Sequence, residues 1–143
     1  MKQGRGGRII SIVSTAAENA RVSAAAYCAS KAGTPQFTRV LAQELGQYSI
    51  TANAVGPGLT LNGSLLRQPP SEAYLGALLK EVPLARPGRP RDIAQAVASL
   101  ASPRAEYITS SVIQADGGYS AGKLPEQDQG TNRCARRYHR VMR

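Results

Sequence analysis

The chain is predicted to be an α/β protein built on a parallel sheet, and three observations carry that expectation. Gly7 to Val13 (Gly-Arg-Ile-Ile-Ser-Ile-Val) is a short apolar run rich in β-branched residues, with glycines before it. Ile50 to Val55 is a second such run, closed by Gly56-Pro57-Gly58. Runs of this kind read as strands buried on both faces, the habit of parallel sheets. Between them Phe37, Val40, Leu41 and Leu45 recur at helical spacing. Strand, helix, strand in this order is a βαβ unit, and its crossover should be right-handed.

The elements follow in order. The first strand ends at Ser14, and a loop of small and polar residues runs from Thr15 to Ser23. The helix should then span about Ala24 to Gln47. Pro35 falls inside it; proline removes the bond to the Lys31 carbonyl and should kink the helix, costing about 3 kcal/mol if unrelieved. Thr60 to Glu81 reads as a loop plus a short helix, Ser71–Lys80, made moderately apolar by Leu61, Leu65, Leu66, Tyr74, Leu75 and Leu78. Pro90-Arg91-Asp92 opens a further helix through about Ala101, with Ile93, Val97 and Leu100 facing inward. Ser111 to Ala115 is the third strand, and Asp116-Gly117-Gly118 a structural turn.

Composition narrows the function classes. The chain has 143 residues, enough for one ordinary domain. No apolar run approaches the length of a membrane helix, so no membrane partner is expected. Two cysteines, Cys28 and Cys134, suggest neither a disulfide framework nor a metal site, and His139 stands alone. A reducing cytoplasm fits these features. The net charge of +9 is concentrated at the ends: +3 in residues 1–8, +4 in 121–143 and only +2 between them. The body therefore has no basic face, and nucleic acid is not an expected partner. Residues 121–143 are polar and basic and should be a disordered tail beyond a domain of residues 1–120.

One spacing carries chemistry. Tyr27 and Lys31 lie four residues apart, one turn apart on the same helix face, and Ser14 precedes Tyr27 by thirteen residues at the end of a strand. Free tyrosine titrates near pH 10, and a cation within reach favours the phenolate by roughly 1–3 pKa units. A serine hydroxyl arriving beside them could hold a carbonyl oxygen. The three together make a device for moving a proton on or off a carbinol oxygen. Ligands of open α/β sheets bind outside the carboxyl ends of the strands, where Ser14 falls. The Tyr-x-x-x-Lys pair alone is a weak signal; its context strengthens it.

In that context the sequence resembles the short-chain dehydrogenase/reductase family. The likeness rests on Gly7-Arg8-Ile9-Ile10-Ser11-Ile12-Val13-Ser14, on Tyr27-Cys28-Ala29-Ser30-Lys31-Ala32-Gly33, on Asn53-Ala54-Val55-Gly56-Pro57-Gly58, on Val82 to Ala94, and on Tyr107-Ile108-Thr109 with Ala115-Asp116-Gly117-Gly118 as the last strand and its exit. It covers roughly residues 4–121. The resemblance implies a partial Rossmann-like, doubly wound parallel sheet. It implies Tyr27 as general acid/base, Lys31 as the cation that tunes it and bonds the nicotinamide ribose, and Ser14 as the group that orients the substrate oxygen. Tyr27, Lys31, Pro57, Gly58, Thr60 and Asn62 are the implied cofactor contacts. The family often carries threonine four residues after the turn glycine, where this chain has Asn62, so Thr60 and Asn62 are both candidates. The cofactor would be NAD or NADP, and the substrate a small secondary alcohol or ketone. Residues Thr60 to Glu81 would form a lid, and a dimer or tetramer of identical chains would form through the helix after Tyr27 and the next one.

The family's nucleotide-binding first half has no counterpart in these residues. Gly4-Arg5-Gly6-Gly7 precedes a strand instead of following one, so it is expected to be an entry loop and not a phosphate cradle. The expectation is a truncated, C-terminal portion of the family's domain, with the first strand left as an open sheet edge. Two readings follow: a hydride-transferring oxidoreductase, or a non-catalytic remnant acting at most as an oligomerising partner.

Overall fold

The computed structural model describes Met1 and residues 6–122. A three-stranded parallel sheet runs through it in the order β1 (Gly7–Ile12), β2 (Ile50–Pro57), β3 (Val112–Ala115). Helix α1 (Ala25–Leu45) links β1 to β2, and α2 (Gly63–Arg67), α3 (Glu72–Lys80) and α4 (Pro90–Ala101) lie between β2 and β3. This is the partial, doubly wound architecture that the sequence predicts. The expectations for Cys134, His139 and the basic tail fall outside the described residues, as does most of the glycine-rich entry at Gly4-Arg5.

β2 is the central strand, and its residues Ile50 through Gly56 are buried. Successive strand side chains point to opposite faces. Val55 packs with Leu100, Ile93, Ala96 and Val97 of α4 and with Ile10 of β1. Alternation turns Ala52 and Ala54, both at 0% exposure, toward the other face, the one α1 covers. Alanines at that contact let a helix approach closely, and the helix answers with Pro35, Thr38 and Ala42. The buried Thr38 hydroxyl is satisfied by donating to the Thr34 carbonyl at 2.9 Å.

One expectation changes here. The apolar stripe of α1 does not all face the core, since Phe37 and Val40 are 58% and 44% exposed. Periodicity located the helix, but the small residues of β2 selected a different face for burial. Helix α1 runs as one element of 21 residues through Pro35, within the expected span, and Pro35 is buried.

The third strand is shorter than the motif suggested, because Tyr107, Ile108 and Thr109 precede it. Tyr107 is fully exposed. Ile108 and Thr109 instead bind the edge of β2: the Thr109 hydroxyl accepts from the Ala52 amide at 3.1 Å, and the Ile108 carbonyl accepts from Asn53 Nδ2 at 2.8 Å. Asn53 Oδ1 accepts from the Ser111 amide at 3.1 Å. One wholly buried carboxamide therefore holds the segment that leads into β3. The Asp116 turn is structural, as expected. Asp116 Oδ1 accepts from the Gly118 amide and Oδ2 from the Ser120 amide, both at 2.9 Å, with the Ser120 hydroxyl as a further donor. Burial pushes the Asp116 carboxyl up, but these donors outweigh it and leave it below the usual carboxylate range.

Candidate active site

Three connections meet at the carboxyl ends of β1 and β2: the loop after β1, the first two turns of α1, and the turn after β2. They enclose a cavity of about 740 Å³. Ser14, Tyr27, Lys31, Pro57, Gly58, Thr60 and Asn62, all the candidate residues, line it. Its far wall is apolar and comes from Leu65 of α2, Tyr74 and Leu78 of α3, and Val82.

Each polar group is held by a local cause. Ser14 is buried and caps the short 3-10 turn Thr15–Ala17, its Oγ accepting from the Ala16 amide at 3.2 Å. A hydroxyl that accepts through oxygen still has its own proton to donate. Lys31 reaches back across the sheet end, and its Nζ donates to the Ile12 carbonyl at 3.2 Å. That anchor sets the ammonium 5.8 Å from the centre of the Tyr27 ring. Tyr27 is 44% exposed and its ring faces the open cavity. The phenol, the ammonium and the serine hydroxyl thus share one cavity, as the thirteen-and-four spacing predicted. Cys28, the neighbour of Tyr27, is a half-buried free thiol outside the lining.

The turn after β2 forms the floor. Gly58 sits where a Cβ would approach Asp116 Cβ to 2.7 Å, so only glycine lets β2 exit against the end of β3. Thr60 Oγ1 donates to the Gly58 carbonyl at 3.1 Å, which pins the turn. Asn62 Oδ1 accepts from the Leu65 amide at 2.9 Å and so starts α2, a helix the sequence reading left as loop. Thr60 and Asn62 both line the cavity and both have a structural task, so geometry does not choose between them. Among the described residues Asn62 Nδ2 has no protein acceptor, and it stays available as a donor.

The donor set fits one end of a dinucleotide. Lys31, Asn62 and the Pro57-Gly58 turn all line the cavity, and their donors are of the kind a ribose and a carboxamide require. Among the described residues no glycine-rich turn leads from a strand into a helix, so no cradle for the pyrophosphate is present there. No group of three or more metal-ligating side chains occurs among the described residues, and no helix among them is long and apolar enough to cross a membrane.

Sequence reasoning missed several lining residues: Asn19, Arg21 and Val22 on the loop, Leu59, and Tyr119. The signal was topological. Any chain that links Ser14 to Tyr27 must pass the site, so the loop from Thr15 to Ser23 has to contribute to its wall.

Comparison with known proteins agrees with this fold. Residues 1–120 match the family described as Enoyl-(Acyl carrier protein) reductase. The 3-oxoacyl-[acyl-carrier-protein] reductase of Pseudomonas aeruginosa is 42% identical over 118 residues, which cover 82% of this chain and 47% of that protein. The acetoacetyl-CoA reductase of Shinella zoogloeoides is 38% identical over 112 residues, covering 78% of this chain and 46% of the relative. Among solved structures, a 7 alpha-hydroxysteroid dehydrogenase complexed with NADH and 7-oxo glycochenodeoxycholic acid superposes with a TM-score of 0.78 at 31% identity, over 90% of this chain and 48% of the other. The acetoin dehydrogenase from Enterobacter cloacae gives 0.73 at 33% identity, over 89% and 49%. The chain belongs to the short-chain dehydrogenase/reductase family. It spans about half the length of the curated relatives it matches.

Proposed function

We propose that this chain supplies the proton-transfer and substrate-binding part of an NAD- or NADP-dependent oxidoreductase that acts on a secondary alcohol or ketone. The observation that carries the reading is the convergence of Ser14, Tyr27 and Lys31 with the Pro57–Asn62 turn on one cavity. In the reducing direction, the Ser14 hydroxyl donates to the ketone oxygen and fixes its position. Tyr27 gives its phenolic proton to that oxygen as the carbon is reduced. Lys31, tethered to the Ile12 carbonyl, keeps positive charge beside the tyrosine while the proton leaves. The oxidising direction runs the same proton back. The nicotinamide, when bound, supplies or accepts the hydride; Lys31, Pro57, Gly58, Thr60 and Asn62 are the residues that would hold its ribose and carboxamide.

Tyr27→Phe tests the assignment. The variant should lose roughly a hundredfold or more in dinucleotide-dependent ketone reduction, the usual contribution of a positioned acid, while still binding the dinucleotide. Normal turnover would remove Tyr27 from the chemistry.

A second reading, a non-catalytic partner subunit, is favoured by the exposure of Phe37 and Val40 on α1. An apolar face of that kind suits pairing with another copy of the chain. A titration with NADH and NADPH separates the two readings: micromolar binding by the chain contradicts the second. Sedimentation of Phe37→Glu against the parent chain shows whether α1 joins copies.

A further inference from the structure

Two groups on the wall of the cavity have chemistry that the proton-transfer residues leave unused. Asn19 Nδ2 is buried and has no hydrogen-bond acceptor. Buried donors without acceptors are rare, and each one asks for an explanation. Arg21, two residues on, also lines the cavity, and its side chain makes no hydrogen bond or ion pair among the described residues. Lys31 is the other cation of the lining, already held by the Ile12 carbonyl. No aspartate or glutamate is among the described residues that line it. The cavity therefore combines a positive polar rim on the loop after β1 with an apolar wall of Leu65, Tyr74 and Leu78. Arg21 is exposed, so water serves its guanidinium in the open cavity; a carboxylate matches its fork of parallel donors with both oxygens and keeps further lone pairs for a neighbouring amide.

We propose that the cavity takes an oxo acid or hydroxy acid, with Arg21 binding its carboxylate, Asn19 Nδ2 donating a further bond to the same group, and the carbonyl or carbinol end directed to Ser14 and Tyr27. The inference rests on the oxidoreductase reading for the fate of the carbonyl, but the anion contact itself does not need a cofactor. It makes Arg21 and Asn19 specificity residues: they act on the end of the ligand away from the reacting carbon.

The test compares 4-oxopentanoate with its methyl ester, which share a ketone and differ in charge. Binding to the whole chain is followed by ligand-observed NMR at low salt. The acid should bind at least about tenfold more tightly than the ester. Arg21→Gln should abolish that preference and leave ester binding as it was, Arg21→Lys should restore part of it, and Asn19→Ala should weaken the acid about threefold. Equal affinity for acid and ester, binding of neither, or a preference that survives Arg21→Gln would each overturn the proposal. A parallel NADH titration keeps the two ideas separate. Dinucleotide binding without acid preference defeats the anion contact alone, and acid preference without dinucleotide binding defeats the oxidoreductase reading alone. Circular dichroism of each variant confirms that the fold is unchanged, so that loss of preference reports on the contact.

Discussion

Two clefts open at the strand ends, and they treat their charged groups differently, although each holds one buried amide atom without a partner, Gln114 Oε1 in one and Asn19 Nδ2 in the other. The second, about 800 Å³, lies along β3 and the start of α4. There Arg86 meets Asp92 in a two-pronged pair, with contacts of 2.7 and 3.3 Å, and Asp92 also accepts from the Arg89 amide at 2.8 Å. Asp116 closes its own turn. Its charged groups are held by one another and by backbone, apart from the exposed Glu18. In the cleft at β1 and β2, the Tyr27 ring faces open space, the Ser14 proton is available, and Asn19 Nδ2 and Arg21 have no protein partner. Both clefts are of similar size, so volume does not identify the site. The charged and phenolic groups separate them: Arg86, Asp92 and Asp116 are paired, whereas the exposed Arg21 and Tyr27 are left to water or to a ligand.

The largest expected effect lies outside both clefts, at the paired groups that join β2 to the segment before β3. Asn53→Ala removes a buried carboxamide that satisfies the Ile108 carbonyl and the Ser111 amide at once. Each orphaned group costs about 1–3 kcal/mol, so the variant should lose about 3 kcal/mol and unfold roughly 6–12 °C lower in a thermal melt. A shift of only a degree or two would show that the segment before β3 does not depend on this residue.

How much of this was legible in the sequence depends on the distance over which each residue acts. Tyr27 and Lys31 share a helix face because four residues make one turn, and Ser14 follows a strand whose composition was plain. Those three, with the Pro57-Gly58 turn, were readable locally. The bonds of Asn53 were not, since its partners lie more than fifty residues away and the motif said nothing of what it holds. The exposure of Phe37 and Val40 was not readable either, because burial depended on Ala52 and Ala54 offering a closer approach to Thr38 and Ala42. Helix α2 was hidden because a side-chain cap from Asn62 starts it, and five residues carry no periodicity. Asn19 and Arg21 sat in a loop whose composition predicts only that it is a loop.

A sharper form of the comparison asks one residue to act in both ways. Ser14 caps the 3-10 turn through its oxygen and faces the cavity with its proton. Ser14→Ala should cost about 1 kcal/mol of stability through the cap, seen as a small shift in a urea unfolding midpoint. Ketone reduction should fall by much more, at least tenfold, since the orienting bond to the substrate oxygen is lost. Ser14→Thr, which keeps the hydroxyl, should recover both in part. A loss of activity no larger than the loss of stability would place Ser14 with the structural groups.

The smallest effect belongs to the Arg86–Asp92 pair, and its pH dependence has a definite sign. The Arg86 hydrogen bond, then the Arg89 amide, hold the Asp92 carboxyl below the usual carboxylate range. A carboxyl lowered by folding stabilises the native state at pH values above its unfolded value, about 3.9, and loses that contribution as pH falls through the folded value. Asp116 is lowered too and loses its contribution in the same direction, so acid destabilises through both. Asp92→Asn isolates one of them, because the amide oxygen can still accept from Arg89 while the charge is gone. With side chains 38% and 34% exposed, solvent screens the pair, and the variant should be less stable by under about 1 kcal/mol at pH 7. That deficit should shrink toward zero between about pH 5 and pH 2 and fall with added salt. A deficit that stayed constant or grew on acidification would mean that the Asp92 charge is not what secures α4 to the Arg86 loop. The contrast between a cleft of paired charges and a cleft of waiting ones would then rest on Asp116 alone.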